Sequence, residues 1–155
     1  MITVWRLVKK RHADIADAFD GEGARKYGGR WNQPGSRMVY TAQTLSLAVL
    51  EQFVHLGPED THIQFVFFRV EIPEGVSIEE LNRKKLPTDW RVQPPSGSTQ
   101  GIGTEWVESN RSAVLMVPSV TIPFEYNYVL SPKHPDFKHI RIAKPEPFSL
   151  DPRIM

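Results

Sequence analysis

A single glutamate stands where an apolar helical pattern expects a hydrocarbon. At about 100° per residue, Leu47, Leu50 and Val54 form one stripe, and Glu51 falls inside it. A carboxylate so placed faces the core or a cleft. Burying it ionised and alone costs several kcal/mol, so it must meet a cation and hydrogen-bond donors or else line a site. A structural ion pair with an arginine meets that requirement as well as an active site does. His55 lies on the same side one turn later, in a position that serves packing or the surface as readily as chemistry. Arg30 follows Gly28 and Gly29, a context that presents a guanidinium fork beside exposed backbone N–H groups and suits a phosphate. An ordinary surface arginine has the same neighbours. Tyr27 and Trp31 flank it, aromatic faces that can stack on a flat ring or pack in the core.

Familiar nucleotide and hydrolase signatures are absent. There is no Walker loop, no G-x-S-x-G elbow and no H-E-x-x-H, and Lys26 occupies the last glycine position of a G-x-G-x-x-G pattern starting at Gly21. The five histidines are scattered singly and there is no cysteine, so neither a metal site nor a disulfide is expected.

These residues need elements to hold them. Ile2 to Val8 reads as a strand carrying Trp5 and Arg6 on opposite faces, and His12 to Phe19 as a short helix before the glycine cluster 21–29. Met38 to Thr41 reads as a short strand. Thr44 offers an N-cap for a helix running to His55, stopped by Gly57 and Pro58. Gln64 to Glu71, dense in β-formers, reads as a buried central strand. Ser77 and Glu80 make a Ser-x-x-Glu capping box for a short helix over Ile78 to Leu81. Pro94 to Gly103 reads as a flexible surface loop able to act as a lid, followed by a short helix from Thr104 to Asn110. Ala113 to Val117, Tyr126 to Leu130 and His139 to Ala143 read as strands. Ten of the thirteen prolines follow residue 86, which argues against long helices there.

Composition bounds the remaining choices. The 155 residues suit one domain, 1–155, with a single core, and 40% hydrophobic against 24% charged residues describes a folded chain rather than a disordered one. Nineteen Lys and Arg against eighteen Asp and Glu leave a formal charge of +1, so an anion site must be local and direct nucleic-acid binding is not expected. Neither an apolar leader nor a membrane-length apolar run is present, which makes the cytoplasm the expected location.

Three blocks in order, Gly28-Gly29-Arg30-Trp31-Asn32, Met38-Val39-Tyr40-Thr41-Ala42 and Ser46-Leu47-Ala48-x-Leu50-Glu51-x-Phe53-Val54-His55, resemble the RES-domain toxins. The similarity continues through Arg111-Ser112, Val117-Pro118-Ser119-Val120, Asn127-Tyr128 and His134-Pro135-Asp136-Phe137, and so covers nearly the whole chain. The resemblance implies an α+β fold like that of the ADP-ribosyltransferases, with central antiparallel β-sheets flanked by short helices. It implies NAD+ as substrate, with no metal, and an Xre-type antitoxin partner that covers the active site in an oligomer of toxin and antitoxin and supplies the DNA-binding element. The family's Arg, Glu and Ser carry over to Arg30, Glu51 and Ser119, with Ser112 as the alternative serine. Tyr40 and Tyr27 match tyrosines of the same site and Asn127 its asparagine. Ser131 departs from an asparagine common in the family. The expected activity is NAD+ cleavage at the nicotinamide–ribose bond by hydrolysis or phosphorolysis; ADP-ribosyl transfer to a protein, or a non-catalytic module binding NAD+ or the antitoxin, are the alternatives.

Overall fold

The computed structural model describes residues 1–154, in which one eight-stranded sheet takes strands from both halves of the chain. The strands are β1 (Ile2–Lys9), β2 (Val39–Ala42), β3 (Phe65–Ile72), β4 (Ile78–Glu80), β5 (Val114–Pro118), β6 (Tyr126–Leu130), β7 (Arg141–Ile142) and β8 (Glu146–Phe148). Their order is β4-β5-β6-β2-β1-β3-β7, and β8 also pairs with β3. Every pairing is antiparallel except β4 with β5. The α+β architecture expected from the sequence is present, with a single mixed sheet at its centre.

The helices are short: α1 (Ile15–Ala18), α2 (Glu22–Tyr27), α3 (Leu45–Phe53) and α4 (Gly97–Ser109). The structure differs from the sequence reading in four places, two of them with a clear physical cause. The Ser77 capping box does not start a helix, because Ile78, Glu79 and Glu80 pair in parallel with Val114, Leu115 and Met116, and ladder hydrogen bonds outweigh a weak local cap. Residues 97–103, read as a loop, form the first turns of α4; Thr99 and Gly103 are buried there with Trp106, so packing overrides the low helix propensity of Gly and Ser. The segment His12 to Phe19 divides into a 3-10 turn at Lys10–His12 and the single turn of α1, capped by Asp14. The glycine cluster is likewise not all loop, since α2 lies within it.

Three apolar clusters meet around the middle of the sheet. One joins β1 and β3 to Ala18 and Phe19, the second seats Leu47, Ala48 and Val49 of α3 on Leu7, Ala42 and Phe65, and the third packs Trp31 and Met38 against Trp106 and β5–β6. Burying side chains of this size contributes about 1.5–3 kcal/mol each, which anchors the elements that border the cleft between them.

Candidate active site

Glu51 reaches the cleft from α3. The helix begins where the Thr44 hydroxyl accepts from Leu47 N–H at 3.1 Å, and the Gln52 amide donates to the Leu7 carbonyl at 3.1 Å, fixing α3 on β1. The stripe read from the sequence divides here: Leu47 is buried, whereas Leu50 and Val54 are 42% and 63% exposed. Glu51 therefore stands at the border between core and cleft.

Its carboxylate is held by neutral donors. Asn127 Nδ2 donates to Oε1 at 2.9 Å and Ser119 Oγ donates to Oε2 at 2.9 Å. Both donors are themselves fixed. Asn127 sits in β6 opposite both Ala42 and Val117 and also donates to the Thr41 carbonyl at 3.1 Å. Ser119, just past β5, is fully buried, and its hydroxyl accepts from Thr121 N–H at 3.1 Å and Ile122 N–H at 3.2 Å. No ion pair joins Glu51 to Arg30 among the described residues. Burial pushes the Glu51 carboxyl above its ordinary pKa, the bonds from Asn127 and Ser119 oppose that, and the charge of Glu125 adds to it.

The cavity in front of this carboxylate has a volume of about 700 Å³, within the range of small-molecule sites. Arg6, Tyr27, Arg30, Tyr40, Glu51 and Asn127 are among its lining residues. A smaller recess of about 180 Å³ opens beside it and shares Arg6, Tyr40, Glu51, Gln52 and His55. Tyr27 is 83% exposed at the cavity wall, its ring free to cover a ligand. Trp31 belongs to the core, and only its backbone N–H reaches the Tyr40 hydroxyl, at 3.1 Å.

Arg30 points its guanidinium at the carbonyls of Trp90 and Val92, so the segment after Pro87 closes one side of the cavity, with Gln93 and Pro95 in its wall. Burial lowers the pKa of Arg30, and the neighbouring Tyr40 opposes that shift. Ser112 lies elsewhere: it accepts from the Trp106 indole at 2.8 Å and donates to the Val114 carbonyl at 2.9 Å, joining α4 to β5. The structure thus brings Arg30, Tyr27, Tyr40, Glu51, Ser119 and Asn127 together and leaves Ser112 out.

Two residues, Arg6 in the cavity wall and Asn32 behind it, carried no role in the sequence reading. Arg6 donates to the Ala18 carbonyl at 2.8 Å and to the Tyr40 carbonyl at 2.9 Å, and its burial lowers its pKa to about 10. The signal was its place on one strand face with Val4 and Val8, both buried, where a cation needs partners. Asn32, fully buried, holds the glycine-rich turn to Tyr40.

A RES domain family model matches residues 3–151. The chain belongs to the RES-domain family. Among its relatives, a protein named Toxin Res from Yersinia enterocolitica is 40% identical over 152 residues, covering 97% of this chain and 98% of the relative. A protein named Prs ADP-ribosylating toxin from a Sphingobium species is 36% identical over 153 residues, covering 97% of this chain and 95% of the relative. In three dimensions this RES domain superimposes on a chain of the Mycobacterium tuberculosis MbcT–MbcA toxin–antitoxin complex with a TM-score of 0.75 at 16% identity, over 96% of this chain and 84% of that one. The α+β fold of this RES domain is shared with that complex.

Proposed function

We propose that this RES domain is the toxin of a toxin–antitoxin pair and that it cleaves NAD+ at the nicotinamide–ribose bond. One observation carries the reading: a half-buried carboxylate, held by two neutral donors and, among the described residues, by no cation, faces a cavity of nucleotide size. Cleavage breaks the bond between ribose C1′ and the pyridinium nitrogen, and the bonding pair returns to that nitrogen. Nicotinamide leaves neutral, so no acid has to protonate it. Positive charge develops on the ribose as an oxocarbenium-like species, and Glu51 supplies the negative charge that stabilises it. Asn127 and Ser119 keep both carboxylate oxygens in register, so little reorganisation is needed as that charge forms.

In this reading Arg30 takes the pyrophosphate, exchanging the carbonyls of Trp90 and Val92 for phosphate oxygens, and Tyr27 and Tyr40 present their rings to the nicotinamide and ribose. Water or phosphate then attacks C1′. The partner is an antitoxin of the Xre type that covers the cleft within a toxin–antitoxin oligomer; the fold shared with a toxin–antitoxin complex supports the pairing. A second reading, transfer of ADP-ribose to a protein, is favoured by the name of the Sphingobium relative.

The test is to incubate the purified chain, freed of any antitoxin, with NAD+ and to follow nicotinamide release with and without phosphate. Release in water marks a glycohydrolase, and release only with phosphate a phosphorylase. Release that requires added protein, with label from NAD+ appearing on that protein, marks the second reading. Glu51→Gln is expected to lower release by about a thousandfold, the scale of losing one preorganised electrostatic group, while the chain stays folded. Turnover retained in that variant refutes the role of Glu51.

A further inference from the structure

The amide of Asn32 is occupied at both ends. Oδ1 accepts from the Tyr40 hydroxyl at 2.6 Å, and Nδ2 lies 2.9 Å from the Ala24 carbonyl, 3.1 Å from that of Gln33 and 3.2 Å from that of Ser36. Two amide hydrogens are thus shared among three carbonyls spread along the turn. The backbone of Asn32 takes part as well, its carbonyl accepting from Gly29 N–H at 3.0 Å. The end of α2 and the turn that follows it, residues 24–36, which carry Tyr27 and Arg30, are therefore tied together by this one buried side chain.

Tyr40 joins that turn to β2. Its hydroxyl donates its single proton to Asn32 and accepts from Trp31 N–H at 3.1 Å. Packing leaves no slack around the clasp: a Cβ added at Gly29 would lie 2.8 Å from the Tyr40 hydroxyl oxygen and 2.9 Å from Asn32 Oδ1. Burial also keeps this phenol protonated, well above its ordinary pKa. Glu51 belongs to a separate set of bonds, those of Ser119 and Asn127.

We propose that Asn32 is a positioning residue of the reaction, setting the substrate-binding turn against Glu51, and that the Tyr40 hydroxyl is its strut rather than a proton donor or acceptor. This rests on the NAD+ reading above. It divides the site into two parts that respond differently: the clasp governs how well Arg30 and Tyr27 receive the dinucleotide, and the Asn127–Glu51–Ser119 set governs the bond-breaking step.

The experiment is steady-state nicotinamide release, across a pH series, by the unsubstituted chain, Asn32→Ala, Tyr40→Phe and the double variant. Each single change is expected to raise KM for NAD+ about tenfold and to move kcat by less than about threefold, because binding is loosened and the charge at the reacting carbon is not. The double variant is expected to raise KM by no more than about threefold beyond either single one, as two ends of one contact are not additive. Tyr40→Phe keeps the ring and is expected to leave the shape of the pH profile unchanged.

Unchanged KM in Tyr40→Phe overturns the proposal. So does a kcat loss of about a hundredfold or the disappearance of an alkaline limb, either of which makes the hydroxyl a chemical participant. Should Asn32→Ala not fold, Tyr40→Phe decides alone. Silence from the unsubstituted chain refutes the NAD+ reading and this one with it, whereas normal turnover with indifferent variants refutes only the role of Asn32.

Discussion

Glu51 is a carboxylate under opposed influences, and its titration is the most direct report on the site. Desolvation holds its pKa above the ordinary value of 4.5, the bonds from Asn127 and Ser119 pull it down, and Glu125 pushes it up. The reaction needs the ionised form, so the acid limb of kcat/KM is expected above the ordinary glutamate range. Ser119→Ala removes a donor and should move that limb to higher pH, while Glu125→Gln removes a like charge and should move it lower; a kcat/KM profile for each variant checks both signs. The same shift has a stability consequence. A carboxyl whose folded pKa is raised disfavours the folded state once pH passes the unfolded value, and the penalty is complete above the folded one. Glu51→Gln should therefore melt at or above the unsubstituted chain near pH 7, with the difference fading as pH falls toward 4.5, as thermal melts over that range would show. Ser131 offers a second residue-scale test. Its hydroxyl is buried with no partner among the described residues, and Ser131→Ala is expected to stabilise the chain by about 0.5–1 kcal/mol in chemical denaturation.

At the scale of elements, helix α4 shows what local reading leaves out. Gly97, Ser98, Gly101 and Gly103 lower helix propensity, and the run after Pro94 and Pro95 looks like a loop. The helix exists because Gly103 lets it lie against the Trp31 backbone: a Cβ there would come within 1.7 Å of the Trp31 carbonyl oxygen. Gly103→Ala is accordingly expected to destabilise by about 2–3 kcal/mol, the range of overpacked cores, whereas Ala at Gly101, which faces open space, should be neutral or stabilising. Denaturant titration of the two variants separates packing from propensity. α3 was legible because Thr44 caps it and its apolar residues recur at helical spacing, and so was Glu51 as a misfit within it. The donors to Glu51 were not legible from spacing, since Ser119 and Asn127 lie 68 and 76 residues away and meet it only through the β5-β6-β2 ladder. Serine and asparagine carry no periodic signal, and the family resemblance alone pointed to them. Arg6 could have been found, because an arginine between Val4 and Val8 on a strand face demands buried acceptors.

For the whole molecule, the cavity lies at a seam. Glu51 comes from the helix seated in one apolar cluster, Tyr40 packs against the cluster built on Trp31 and Trp106, and Arg6 reaches from β1 to the Ala18 carbonyl beside the third. A ligand that contacts all of these walls adds a further link between elements already joined by the sheet, so binding should raise the stability of the fold as a unit. The net charge of +1 gives little long-range attraction for an anionic ligand, and the energy must come from local contacts. ADP-ribose keeps the pyrophosphate and ribose and lacks the bond that is cleaved, so it reports binding without turnover. At one hundred times its Kd it is expected to stabilise the chain by about 2.7 kcal/mol, which for a domain of this size is an increase in Tm of about 5–10 °C. Arg30→Ala should abolish most of that increase, and Glu51→Gln should retain it, because Glu51 acts on charge that develops only as the bond breaks. Raising salt from about 50 to 300 mM should reduce the effect only modestly, since the Arg30 contact is short-range. An equal loss in both variants would place Glu51 in ground-state binding instead, and would remove the division of labour between the two sides of the seam.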